Sequence, residues 1–186
     1  MGKQRPAITL AIEQDNADEV ERLLRANSAL LKQGFGVGTI LHYAAQCGSL
    51  NCVKRLVALG MDVNATKHPG YPEPPEGPIW NATFEGHLAV VKWLLENGAK
   101  SNCLLLSTGE TRNFALVQAV EDNRLDIVRL LVQYGADVNV HFADQAPLSV
   151  AEDCGHTEMA AFLRSNGALT LKEIKAQAKT KGKRKK

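Results

Sequence analysis

Apolar positions along this chain follow a helical period that stops and restarts at nearly regular intervals. Ile8, Leu41, Ile79, Leu116 and Leu148 each open the same phrase: a short helix, a break seven residues on, then a second helix around a Val/Ile-x-x-Leu core. These anchors lie 33, 38, 37 and 32 residues apart. A recurrence near 33 predicts an all-α solenoid of stacked helix pairs rather than a domain closed around one pocket. In the second helices, Val91, Leu94 and Leu95, and likewise Val128, Leu131 and Val132, place an apolar stripe on one face. That face is core, and because no repeat buries it alone, neighbours must cover it and end repeats fray first.

Small residues keep step with the anchors. Ala44, Ala45, Ala82, Ala119 and Ala151 fall in the first helices, where adjacent repeats must approach closely. Gly48, Gly86 and Gly155 fall where the first helix has to end with positive φ, with Asp15 and Asn123 at the matching positions. Gly60, Gly98, Gly135 and Gly167 do the same for the second helix.

The fullest copy runs Thr39-Ile40-Leu41-His42-Tyr43-Ala44-Ala45-Gln46-Cys47-Gly48-Ser49-Leu50, then Val53, Leu56 and Gly60-Met61-Asp62-Val63-Asn64. Pro78-Ile79-Trp80-Asn81-Ala82 with Gly86-His87-Leu88, and Pro147-Leu148 with Gly155-His156-Thr157, repeat it. This resembles the ankyrin repeat over residues 6 to 170. The resemblance implies a helix-turn-helix solenoid with finger loops, in repeats of about 6–37, 38–75, 76–112, 113–144 and 145–171 within a domain of residues 1–171. It also implies that Thr39 and His42, matching the family's Thr-x-x-His element, cap the first helix. Asp62-Val63-Asn64 and Asp137-Val138-Asn139, with Leu56 and Leu131 eight residues earlier, read as shared turn residues; they also resemble sites of asparagine hydroxylation in animal ankyrin arrays.

Charge divides the chain. Residues 172–186 hold eight Lys or Arg and one acid, a balance of +7, while the first 171 residues hold fourteen basic and nineteen acidic side chains, a balance of −5. The body is therefore acidic, and the basic C-terminal tail, too polar to pack, is expected to be disordered. Asp15, Asp18, Glu19, Glu21 and Arg22 crowd the first copy and read as a solvated N-terminal cap. Cys47, Cys52, Cys103 and Cys154 show no paired spacing, so neither a disulfide framework nor a metal site is called for, and a reducing, cytoplasmic setting is expected. There is no apolar run of membrane length and no secretory signal.

In ankyrin proteins the usual binding surface is the concave one, built by finger loops and the outward positions of the first helices. Carried over by position, the two residues before each helix-ending turn face it: Glu13 and Gln14, Gln46 and Cys47, Phe84 and Glu85, Glu121 and Asp122, Asp153 and Cys154. Trp80 stands at an inner-helix start, and Phe35 and Phe142 in finger positions. The partner-binding set expected is Phe35, Gln46, Trp80, Phe84, Glu85, Glu121, Asp122, Phe142 and Asp153, an acidic surface interrupted by aromatic residues. Such a surface suits a basic protein and argues against nucleic acid as its ligand, leaving the tail for nonspecific phosphate contact. Two insertions, the proline-rich residues 65–78 and residues 104–113, extend finger loops on the same side.

Catalysis finds no support. The five histidines are scattered, and no phosphate-binding glycine loop, His-Glu-x-x-His element or nucleophile elbow occurs. The expectation is a non-enzymatic, cofactor-free binding module, monomeric when free. Small ankyrin proteins resemble one class of bacterial immunity proteins, which inhibit a toxin by occupying its active site. A cytosolic or nuclear adaptor, with the tail as targeting segment, is the alternative.

Overall fold

The computed structural model describes residues 6–32, 34–35, 38–66, 77–102, 114–140 and 145–183. Within these residues the chain forms five helix pairs and a final helix: α1 Ala7–Glu13 with α2 Ala17–Ala26, α3 Ile40–Gln46 with α4 Leu50–Ala58, α5 Pro78–Glu85 with α6 Leu88–Glu96, α7 Phe114–Glu121 with α8 Leu125–Gln133, α9 Pro147–Asp153 with α10 Thr157–Ser165, then α11 Leu171–Lys183. The repeats form two compact units, residues 1–100 and 101–186. In the first, α1, α3 and α5 pack in order with α2, α4 and α6 behind them; in the second, α7 packs on α9, each backed by its own partner helix. Most of the two insertions, residues 67–76 and 103–113, lies outside the described residues.

Helices of seven to ten residues are too short to persist alone, so packing must hold them. Ala11, Ala44, Ala45, Ala82, Ala119 and Ala151 are buried in the inner helices, and Val53, Leu56, Leu94, Val128, Leu131 and Leu163 in the outer ones. Pro78 and Pro147 stand in the first turn of α5 and α9, where an absent N–H costs nothing.

Each inner helix closes the same way. Ser49 N–H donates to Ala44 O at 3.0 Å and Gly48 N–H to Ala45 O at 3.2 Å, with Gly48 at φ +73°. The same crossing pair closes α1, α5, α7 and α9. Glycine at position 48 is required twice over, because an added Cβ would lie 2.6 Å from the His87 ring. His87 Nε2 is 2.8 Å from Gln46 O, one of the carbonyls the preceding inner helix leaves unpaired. His156 Nε2 repeats this on Glu121 O at 3.0 Å, and Ser49 Oγ on Ile12 O. At Ser49, His87 and His156 the residue after the turn thus ties its repeat to the one before.

The turns after the outer helices are tied by asparagine. Asn64 donates its amide to Gly98 O and accepts from Lys100 N–H, both at 2.9 Å. In the second unit Asn102 spans Gly135 O and Asp137 N–H, and Asn139 spans Gly167 O and Leu169 N–H, at 2.8–3.0 Å. The Asp-Val-Asn segments are turn residues holding the next repeat. At the start of α3, His42 is buried, and its Nδ1 accepts from Thr39 N–H at 3.2 Å and sits 2.9 Å from Thr39 Oγ1, the capping the Thr-x-x-His element implied.

Two expectations need correction. The tail is helical from Leu171 to Lys183, because Thr170 and Glu173 form a capping box: Thr170 N–H and Oγ1 both donate to Glu173 Oε2 at 2.7 Å. Nor is the first repeat merely solvated. Asp15, at φ +51°, directs its carboxylate at Cys52 N–H (2.9 Å) and Asn51 N–H (3.2 Å), capping α4 of the next repeat. Arg55 on α4 pairs with Asp18 at 3.0 Å and with Glu21.

Leu94 is fully buried, so Leu94→Ala should cost about 2–5 kcal/mol in chemical denaturation. A change within experimental error would mean that α6 is packed in another register. The N-terminal clasp is testable by pH. Arg55 and Arg25 hold the Glu21 carboxyl below its usual range. Its stabilisation is therefore complete above about pH 4.3, the ordinary glutamate value, and is lost as pH falls through the lowered one. Hydrogen exchange should show α1 and α2 losing protection first on acidification, and already at neutral pH in Arg55→Ala. Uniform loss along the chain would contradict the clasp.

Candidate functional site

The last turns of the inner helices carry carboxylates and aromatic rings. In the unit of residues 1–100, three successive repeats contribute. Glu13 ends α1 and is exposed; the Tyr43 hydroxyl on α3 donates to its Oε1 at 2.7 Å. Gln46, three residues along α3, donates from Nε2 to Glu85 Oε1 on α5 at 3.3 Å. Phe35 stacks on Tyr43 with ring centroids 6.2 Å apart, and Trp80 stacks on Phe84 at 5.2 Å. Phe84, 44% exposed, presents a large apolar surface beside Glu85.

Carboxylates and phenol determine the electrostatics here. Burial and the Glu13 carboxylate hold the Tyr43 hydroxyl far above its ordinary range, so it stays a neutral donor. Burial likewise raises the Cys47 thiol; a hydrogen bond with Tyr43 opposes this, and the Glu13 and Glu85 charges raise it further. Cys52, buried beside Asp15, is pushed up to about 12. These are the reverse of the conditions that activate a nucleophilic cysteine.

In the unit of residues 101–186, Glu121, Asp122 and Asp153 are all exposed at the ends of α7 and α9. Asp122 is not the open charge expected. Gln118 Nε2 donates to its Oδ1 at 3.1 Å, and Arg124 lies 3.3 Å from its Oδ2. Glu121 lends its backbone carbonyl to His156 and leaves its side chain at the surface. Phe142 lies outside the described residues.

Of the predicted set, the structure therefore connects Gln46 with Glu85 and Trp80 with Phe84, and places Phe35 on Tyr43. Tyr43 was missed. The available signal was its register: it matches Leu10 and Asn81 in the neighbouring copies, and a tyrosine there reaches across to Glu13. Among the described residues no three His, Cys, Asp or Glu side chains converge as a metal site, and no helix is long and apolar enough to cross a membrane.

A family model of ankyrin repeats, in three copies, matches residues 2–67 and 79–174. The chain belongs to the ankyrin-repeat family. It is also 28% identical over 155 residues, 83% of its length, to the Ankyrin repeat and KH domain-containing protein mask-1 of Caenorhabditis elegans, of which it spans 5%. Ankyrin repeats mark a protein–protein interaction module, and the family is generally non-enzymatic. The inner-helix ends of this ankyrin chain bring together hydrogen-bonded carboxylates, an exposed ring and a thiol whose ionisation burial disfavours.

Thiol labelling tests this electrostatic arrangement. Peptide-resolved alkylation at neutral pH should modify exposed Cys154 well before Cys47 and buried Cys52. Glu13→Gln with Glu85→Gln removes two negative charges that disfavour the thiolate, so Cys47 should then react faster. An unchanged Cys47 rate would show that the carboxylates do not act on it.

Proposed function

We propose that this chain is a non-enzymatic binding module that grips a basic protein partner at the inner-helix ends, in the cytoplasm, and inhibits that partner by covering it. The observation that carries the reading is the set Glu13–Tyr43 and Gln46–Glu85, linked between adjacent repeats beside the Trp80–Phe84 stack. Hydrogen bonds already fix these side chains, so a partner meets carboxylates ordered in advance and loses less conformational entropy on docking. Arg or Lys can pair with the acids and lie over a ring face, and an exposed aromatic is the usual source of large binding increments. Complementary charge would accelerate encounter.

Inhibition is the sharper form. A toxin with a basic cleft for nucleic acid would be blocked by acids and rings set as these are, as in the bacterial immunity proteins that small ankyrin arrays resemble. The free thiols Cys47, Cys52 and Cys154 fit a reducing compartment. The second reading, an adaptor with a targeting segment, draws on the lysine-rich helix α11.

A photo-crosslinking residue placed at position 84, with one at exposed Lys92 as control, should capture one basic protein in native lysate from position 84 alone. Phe84→Ala with Glu85→Gln should weaken that complex by about 30-fold or more, the equivalent of one hot-spot side chain. Capture from position 92 as readily, an acidic partner, or unchanged affinity would overturn the site. The partner's own activity separates the two forms: inhibition abolishes it in the complex, and an adaptor leaves it intact.

A further inference from the structure

We infer that helix α11 is a docking strip for the phosphate backbone of a nucleic acid, separate from the protein-binding ends of the inner helices. The helix begins with a firm anchor. Glu173 caps Thr170 and lies 3.9 Å from Arg164, and Leu171 N–H donates to Ser149 Oγ at 2.8 Å. The single acid of residues 172–186 is thus engaged at the cap, in a segment whose balance is +7.

Beyond the cap the cations fall into register. Lys172, Lys175, Lys179 and Lys183 recur at intervals of three, four and four residues within Leu171–Lys183, one per turn. Over about 16 Å at roughly 1.5 Å per residue, these positions share one side of the helix. Lys172 and Lys175 are exposed. A line of single positive charges at the pitch of a helix suits a line of phosphates. The rest of the chain, at −5, holds no general attraction for a polyanion.

A membrane surface is the weaker match. Helices that lie in a bilayer interface carry a broad face of large apolar residues, whereas α11 offers only Leu171 and Ile174 besides alanines. Both are half-buried. Binding therefore has to be electrostatic, steeply salt-dependent and indifferent to base sequence. It should also strengthen the helix, since Lys175–Lys179 and Lys179–Lys183 are like-charge pairs at i,i+4 that phosphates would neutralise.

The test uses the full chain and a fluorescent 20-nucleotide single-stranded RNA, with anisotropy titrations between 50 and 200 mM salt. Two triple variants of equal charge are compared: Lys175→Gln, Lys179→Gln and Lys183→Gln on the strip, and Lys181→Gln, Arg184→Gln and Lys185→Gln, which do not fall on its spacing. The strip variant should lower the log–log salt slope by about 2, at roughly 0.7 per phosphate contact, and bind about ten-fold more weakly than the other triple. Wild-type circular dichroism should gain helix on binding RNA. Equal losses from both triples would reduce the strip to diffuse charge. No binding at 50 mM salt, or tighter binding to phosphatidylserine vesicles than to RNA, would overturn it. Glu13→Gln with Glu85→Gln, which remove only negative charge, should not weaken RNA binding, so failure here is distinguishable from failure at the protein-binding site.

Discussion

A side-chain amide that meets both a carbonyl and an N–H of the following turn is the contact on which this architecture depends. Asn64, Asn102 and Asn139 each make that two-point connection. Short helices end every seven to ten residues, and each end leaves backbone groups without intrahelical partners. A protein of such helices would be unstable unless those groups were satisfied, since every buried unpaired one costs about 1–3 kcal/mol. Here the adjacent repeat supplies many of the partners: Asn at the outer turns, Ser49, His87 and His156 at the inner-helix ends, and Asp15 at the start of α4. Burial of the helix faces then adds its stabilisation to a frame already fixed in spacing.

That dependence explains why so much of the fold is visible in the sequence. The turn glycines and the alanines of close approach each have one physical job that tolerates little substitution, so they recur in register. Even the exceptions are informative. Asp15 and Asn123 adopt positive φ where glycine is usual, and Asp15 uses its side chain to cap the neighbouring helix. The tail was read from its net charge, which describes solvation, while the decisive signal was local: Thr170 and Glu173 at capping-box spacing, with Ile174 following. A strong start signal establishes a helix that composition alone argues against.

The candidate site was legible in position and illegible in pairing. Repeat register puts Gln46, Glu85, Glu121 and Asp153 at helix ends, because that depends only on counting from the turn. Whether a carboxylate faces solvent or a neighbour depends on side-chain reach between residues 30 to 40 positions apart, as Tyr43 to Glu13 and Gln46 to Glu85 show. Asp122 makes the same point nearer by: Arg124, two residues on, takes up a charge that position alone would assign to the surface. The charge-rich first repeat was misread for this reason too, since Arg55 lies a full repeat away from Asp18 and Glu21.

Stability and recognition consequently reside on different atoms of the same short helices. In α3, Leu41, Ala44 and Ala45 face the core and are fully buried, while Tyr43, Gln46 and Cys47 on the other side are partly exposed. The inter-repeat ties from the inner-helix ends use backbone carbonyls, as at Gln46 O and Glu121 O, so the side chains of those same residues remain at the surface. A backbone tie survives substitution of the residue that provides it. Surface chemistry can thus change from one array to another without disturbing the stack, which is why a fold this legible leaves its ligand to be found from the side chains of this one chain.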